Sequence, residues 1–225
     1  MRIVCFGDSL ALPREGCHYT DTWIAKLKTT FPSIDFICNF SGGMLVHDLF
    51  KYWNYMQFAG ADIAIIQEGI CDCAPRYIDE DNLFWKFIIK VAQKTRTIDV
   101  FWRIVKHGSR KPSCTCTPKK EFEKIIQEII SSMYMVGVRY VIVIKIGHGA
   151  PSIVKKSNFF NSNVDDYNSV FDHMKDKYND KLIVIDPLNK VDEDMFIDGY
   201  HCNARGMDRV YNELVSVLSP IVTFE

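Results

Sequence analysis

Hydrophobic residues in this chain come in short blocks separated by periodic segments. Arg2–Phe6, Ile34–Cys38, Ile63–Gln67, Tyr140–Ile146 and Leu182–Ile185 are mostly rich in Ile and Val and polar only at their ends. Runs of that length and composition suit strands covered on both faces. Between them, apolar positions recur at helical spacing. Thr22–Thr30 follows the capping-type Asp21, Leu45–Phe58 follows a glycine pair, Pro118–Met135 opens with proline, and Asp165–Tyr178 and Ala204–Leu218 complete the set. Strand and helix alternate, which predicts an open parallel sheet with helices on both faces, wound by right-handed crossovers. Ligands of such sheets bind beyond the carboxyl ends of the strands. Chemistry is therefore to be sought just after the apolar runs.

The least regular stretch is Asp79–Pro118. An aromatic helix candidate, Leu83–Gln93, leads there into Phe101-Trp102-Arg103 and then into a run from His107 to Pro118 rich in Ser, Lys, Arg, Cys and Pro. So long a connection is a functional loop, a lid or a disordered segment. No repeat, low-complexity tract or linker composition marks a boundary, so residues 1–225 are read as one domain with an insertion around 79–118.

Composition narrows the functional classes. The chain has 225 residues, 48% hydrophobic and 24% charged, with 27 Lys+Arg against 28 Asp+Glu and a net charge of −1. Those proportions belong to a globular protein with a sizeable core, and they exclude disorder and fibrous repeats. A near-neutral charge with no basic stripe argues against a nucleic-acid partner. No apolar run approaches the roughly 20 residues of a membrane-spanning helix. The N-terminal Arg2–Phe6 block is too short for a signal-peptide apolar region, so a cytoplasmic location is expected. Several of the eight cysteines sit inside apolar segments, where a thiol behaves as a small hydrophobe, and they are read as reduced. The pairs Cys71/Cys73 and Cys114/Cys116 lack zinc-site spacing, so no metal and no cofactor is expected.

Five strand ends carry candidate chemistry. The first is Gly7-Asp8-Ser9-Leu10, which places a serine in a tight turn at the sheet edge. The last is Asp198-Gly199-Tyr200-His201, just before the final helix. A serine becomes nucleophilic when a base removes its proton, and the base works best when an acid fixes its tautomer; Ser9, His201 and Asp198 supply those types. Taken singly, each motif is also explained as a turn or a helix cap. After the second run comes Ser41-Gly42-Gly43, whose N–H groups are candidate oxyanion donors. After the third comes Gly69-Ile70-Cys71-Asp72-Cys73-Ala74-Pro75-Arg76, and after the fourth Gly147-His148-Gly149. His148 either lines the pocket or is a loop histidine without a role.

Together these blocks resemble the SGNH, or GDSL, hydrolase family. The resemblance rests on Gly7-Asp8-Ser9-Leu10, on Gly43 with Asp48-Leu49, on Gly69–Asp72 and on Asp198–His201. It is strengthened by Tyr167-Asn168 opening the penultimate helix and by His201–Gly206 leading into the last one. It implies a flavodoxin-like three-layer α/β/α sandwich with a five-stranded parallel sheet. It also implies Ser9 as nucleophile, His201 as general base and acid, Asp198 as its orienting partner, and the N–H groups of Ser9 and Gly43 as oxyanion donors. The family adds an asparagine amide in a Gly-x-Asn-Asp block, where this chain has Cys71. Losing one preorganised donor costs roughly 10²–10³ in turnover. Arg76 is the candidate to replace it or to hold an anionic substrate group, the alternative being a surface ion pair. Asp8 and His148 complete the candidate substrate-binding set.

Gly69–Arg76, with Leu12-Pro13-Arg14 after the serine, resembles a branch associated with bacterial surface-polysaccharide clusters. The implied activity is a serine-dependent esterase acting on acyl, chiefly acetyl, esters of a carbohydrate. The alternatives are an acyltransferase acting on a sugar hydroxyl and a weakly catalytic carbohydrate-binding relative.

Overall fold

A computed structural model of the protein describes residues 1–79, 82–108, 114–189 and 192–223. Five strands, β1 (Arg2–Gly7), β2 (Asp35–Phe40), β3 (Ile63–Gln67), β4 (Tyr140–Ile144) and β5 (Leu182–Ile185), form one parallel sheet in the order β2-β1-β3-β4-β5. The helices are α1 (Trp23–Thr30), α2 (Val46–Met56), the short α3 (Ile70–Cys73), α4 (Leu83–Lys94), α5 (Ile98–Gly108), α6 (Lys119–Met135), the short α7 (Pro151–Val154), α8 (Phe160–Tyr178) and α9 (Ala204–Thr223). The expected parallel α/β sandwich is present.

The sheet is apolar on both faces because successive side chains alternate sides. Val4, Phe6, Ala64, Ile66, Val141 and Val143 pack against α2, α6 and α8. Ile3, Cys5, Ile63, Ile65, Ile142 and Ile144 pack against α1 and α9. With both faces buried, a strand reads as a continuous apolar run, which is why the pattern of the sequence locates the strands well.

The strand order places a switch point between β1 and β3, because the chain leaves β1 on one side to make β2 and returns on the other to make β3. Gly7 pairs with Phe40 on one side and Gln67 on the other. Two bonds extend this junction past the last residue of β1: Asp8 N–H donates to the Gln67 carbonyl (3.1 Å) and Ser41 N–H to the Gly7 carbonyl (3.0 Å). A Cβ on Gly7 would stand 2.9 Å from that of Ala11, so only glycine lets the chain turn this tightly into Ser9. Below the turn, the Trp23 indole N–H donates to Gln67 Oε1 (2.8 Å), tying α1 to the end of β3.

Three boundaries differ from the expectations. α8 begins at Phe160 rather than Asp165, so Tyr167-Asn168 lies two turns inside it instead of opening it. Residues 160–163 are poor helix formers by composition, but burial of Phe160 and Val164 carries the helix through them. The Asn168 amide then ends β4. It accepts from Ile146 N–H and donates to the Ile146 carbonyl, both at 2.9 Å, so Ile146 lies beyond the strand. The stretch 79–118 is less irregular than its composition implies. α4 and α5 pack on one another through Trp85 and Phe101, and Arg96, at φ +58°, makes the corner between them. The basic run at 109–113 lies outside the described residues. No helix among the described residues is long and apolar enough to cross a membrane.

Replacing Asn168 with Leu should lower unfolding stability by about 3 kcal/mol, because it strands two buried backbone groups of Ile146. Denaturant titration checks this, and a loss below about 1 kcal/mol contradicts the role assigned to the amide.

Candidate active site

Ser9 opens a single 3₁₀ turn, Ser9–Ala11, capped by the Asp8 carboxylate, whose Oδ1 accepts from Leu10 N–H at 2.8 Å. From the opposite end of the chain, His201 Nε2 lies 3.0 Å from Ser9 Oγ. His201 Nδ1 lies 2.7 Å from Asp198 Oδ2, and His201 N–H donates to Asp198 Oδ1 at 3.0 Å. The acid thus grips both the ring and the backbone of the same residue, which sets the ring's direction.

The loop carrying this pair is held at several points. Ile197 N–H donates to the His201 carbonyl (2.8 Å), Asn203 N–H to the Met195 carbonyl (3.0 Å), and Ala150 N–H to the Gly199 carbonyl (2.7 Å). Gly199 has φ +103°, and a Cβ there would fall 2.5 Å from Ile153. The Tyr200 ring lies against the imidazole at a centroid distance of 4.1 Å. On the serine side, the Arg14 guanidinium donates to the Ser9 carbonyl.

The electrostatics follow from this packing. Burial lowers the His201 pKa and the Arg14 charge lowers it further, against an opposing pull from Asp198, so the ring stays neutral below its ordinary 6.5. Burial alone would raise the Asp198 carboxyl, but hydrogen bonds from the His201 ring and backbone hold it below its ordinary value. A neutral imidazole beside an ionised carboxylate can accept a proton from Ser9 and keep the resulting cation stable.

Ser9 opens onto a cavity of about 210 Å³ that it shares with Cys71, Arg76, Lys156, Phe160 and Tyr200 among others. Larger hollows of about 640 and 620 Å³ lie elsewhere, one beside α1 and Tyr211 of α9 and one between α2 and α6, and Ser9 lines neither. Cys71 and Arg76 therefore reach the serine's cavity. Burial, reinforced by the charges of Asp8, Glu68 and Asp72, pushes the Cys71 thiol up to about 12, so it is a neutral, weak donor and not a second nucleophile. Gly43 sits at φ +77° in the turn after β2, with open space where a Cβ would be. Among the described residues, neither the Ser9 nor the Gly43 N–H has a hydrogen-bond acceptor.

Two residues expected in substrate binding do not line the cavity. Asp8 is fully buried beneath the turn it caps. His148 turns to α8, where its Nε2 meets Asp165 Oδ1 at 2.7 Å. Sequence reasoning also missed three features of the site. Arg14, whose guanidinium reaches the Ser9 carbonyl, and Tyr200, whose ring lies against that of His201, are close in sequence to the residues they act on, but neither residue type nor spacing marks them as site residues. Glu68 is almost wholly buried, with neither carboxylate oxygen hydrogen-bonded among the described residues. Its signal was an acid just after the apolar run of β3, beyond its one polar residue, Gln67. Among the described residues no group of three or more His, Cys, Asp or Glu side chains is arranged to hold a metal.

The fold agrees with that of known esterases. This is the SGNH-hydrolase fold. A psychrotrophic esterase, EstA, from Pseudoalteromonas sp. superposes with a TM-score of 0.63 at 12% identity over 99% of this chain and 98% of its own. An acetylxylan esterase from Geobacillus stearothermophilus, Axe2, has a TM-score of 0.63 at 13% identity over 96% and 92%. A lipolytic protein of the G-D-S-L family from Veillonella parvula has a TM-score of 0.58 at 14% identity over 97% and 98%. No protein-family model and no curated protein sequence matches the chain.

Three carboxyl groups beneath the turn that carries Ser9 leave a mark on stability. Burial raises Asp8 to about 7 and Asp72 to about 6, and it raises Glu68 well above its ordinary range, aided by Asp8 and Asp72. Folded-state values above the unfolded ones mean that the native state binds more protons, so stability is fullest at low pH and is lost as pH rises through them. The unfolding midpoint should fall between about pH 5 and 8. Glu68→Gln should be more stable than wild type at the upper end and no more stable at the lower. Parallel melting curves for the two proteins would contradict this.

Proposed function

We propose that the protein is a serine ester hydrolase that removes a small acyl group, chiefly acetyl, from a carbohydrate. The observation that carries this reading is the chain of contacts from Ser9 through His201 to Asp198, at 3.0 and 2.7 Å, opening on a small cavity. Ser9 Oγ attacks the ester carbonyl while His201 Nε2 takes its proton. The carbonyl becomes an oxyanion facing the N–H groups of Ser9 and Gly43. Collapse expels the alcohol, which leaves with the proton returned by His201 and yields an acyl-Ser9 ester. Water then attacks that ester with His201 again acting as base, releasing the acid and restoring Ser9. Asp198 stays ionised throughout and steadies the imidazolium.

The small-acyl preference is supported by the cavity volume of about 210 Å³ and by the shared fold with an acetylxylan esterase. Carbohydrate as the alcohol is supported by that neighbour and by the resemblance of Gly69–Arg76 to a polysaccharide-associated branch. Lys156 and Arg76 give the cavity a cationic lining, which suits an anionic sugar or acyl group. The esterases that share the fold favour the reading of hydrolysis over transfer. Added acceptor sugar tests that preference: free acid supports hydrolysis, and new ester supports transfer.

Turnover of an aryl acetate and release of acetate from acetylated oligosaccharides check the assignment. Ser9→Ala should cut turnover by about 10³-fold or more with the fold retained, and unchanged activity would overturn the role of Ser9. Cys71→Asn should raise kcat by about tenfold or more, because it supplies an amide donor where only a thiol now stands. A fall would mean that Cys71 itself has the better geometry.

A further inference from the structure

The hairpin of α4 and α5 is built unlike the rest of the chain. Between Leu83 and Gly108 stand Lys86, Lys90, Lys94, Arg96, Arg103 and Lys106 against the single acid Asp99, within a chain whose net charge is −1. The same hairpin is apolar on its outside. Phe84, Phe87 and Val91 recur at i, i+3 and i+7, the spacing of one helix face, and they are 62%, 65% and 44% exposed. On α5, Val100 and Ile104, one turn apart, are exposed as well. Such a stripe is normally the buried side of a surface helix. Here the inward sides are already taken, with Trp85 against Phe101 and Ala92 buried, so the exposed stripe is a second apolar face. By helical spacing, Lys90 and Lys94 flank it.

Bulky aromatic and aliphatic side chains facing out, with cations alongside, are the pattern of helices that lie in the headgroup region of a bilayer. We propose that the α4–α5 hairpin docks this protein on the surface of an anionic lipid membrane without crossing it. Charge decides between occupants. A second copy of the chain would bring the same cations against themselves, whereas an anionic headgroup layer complements them while the acyl boundary takes up Phe84 and Phe87. A nucleic acid would satisfy the cations but leave the aromatic stripe in water. Neither helix meets the length and apolarity of a spanning segment. The hairpin also springs from the rim of the Ser9 cavity. Arg76, which lines that cavity, donates its N–H to the Cys114 carbonyl (2.7 Å), closing the base of the segment that carries α4 and α5. Docking would tether the cavity at the membrane surface.

Cosedimentation of the full chain with vesicles tests this, using phosphatidylcholine alone and phosphatidylcholine mixed with phosphatidylglycerol. The expected result is at least about tenfold tighter binding to the mixed vesicles, weakened by added salt. The double variants Phe84→Asp/Phe87→Asp and Lys90→Glu/Lys94→Glu should each reduce that binding by about tenfold with the far-ultraviolet circular dichroism unchanged. Equal partition to both vesicle types, or to neither, would overturn the proposal on the wild-type protein alone. Binding untouched by both variants would overturn it too. So would self-association or nucleic-acid binding that Phe84→Asp/Phe87→Asp abolishes while vesicle binding is absent.

Discussion

The hydrogen bond between Ser9 and His201 joins residues 192 positions apart, and most of the architecture can be understood as what holds its two ends in place. One end is the turn that leaves β1 at the switch point of the sheet, where bonds to β2 and β3 on either side fix the backbone of Gly7 and Asp8. The other is a loop pinned to the segment after β4, immediately before α9, whose apolar face seals the opposite side of the sheet. Neither end touches its partner until the whole sheet is assembled. The chemistry is therefore a property of the complete fold, and no local segment carries it.

Holding the serine there leaves charge in unfavourable places. Asp8 caps the turn from a fully buried position, with Glu68 and Asp72 buried nearby; Asp72 accepts from Val46 N–H and the Thr117 hydroxyl and Asp8 from Leu10 N–H, while one oxygen of Asp8 and both of Glu68 have no partner among the described residues. Buried carboxyl groups without partners favour the protonated form. This cluster keeps the Cys71 thiol neutral, while on the far side Arg14 and burial keep His201 neutral. Stability given up beneath the turn goes with a neutral Cys71 thiol beside Ser9 in the cavity.

Much of this was legible in the sequence, and the exceptions have physical causes. The strands were plain because burial on both faces makes them unbroken apolar runs. Ser9, Asp198 and His201, which the fold brings together, stood out as candidates because each sits in a short turn at a strand end or before a helix, where residue type and place coincide. The start of α8 was not, since Asn161, Ser162 and Asn163 argue against a helix and only the burial of Phe160 and Val164 outweighs them. α5 was missed because Thr95-Arg96-Thr97 breaks the pattern at a corner made by Arg96. Arg14, Tyr200 and Glu68 were not legible as site residues because their parts depend on where their side chains point in the folded turns, although Arg14 and Tyr200 act on near neighbours in sequence. His148 shows the reverse: its position after β4 argued for the pocket, and an acid on α8 took it instead.

Whether His201 activates Ser9 can be read from the rate at which a fluorophosphonate probe adds to the intact protein, followed by mass against pH. In that reaction Ser9 Oγ bonds to phosphorus, fluoride leaves and His201 takes the proton, so the rate reports the neutral imidazole. One adduct is expected, on Ser9, forming at a rate that rises with pH through a midpoint below 6.5. No adduct, an adduct on another residue, or a rate indifferent to pH across that range would contradict it.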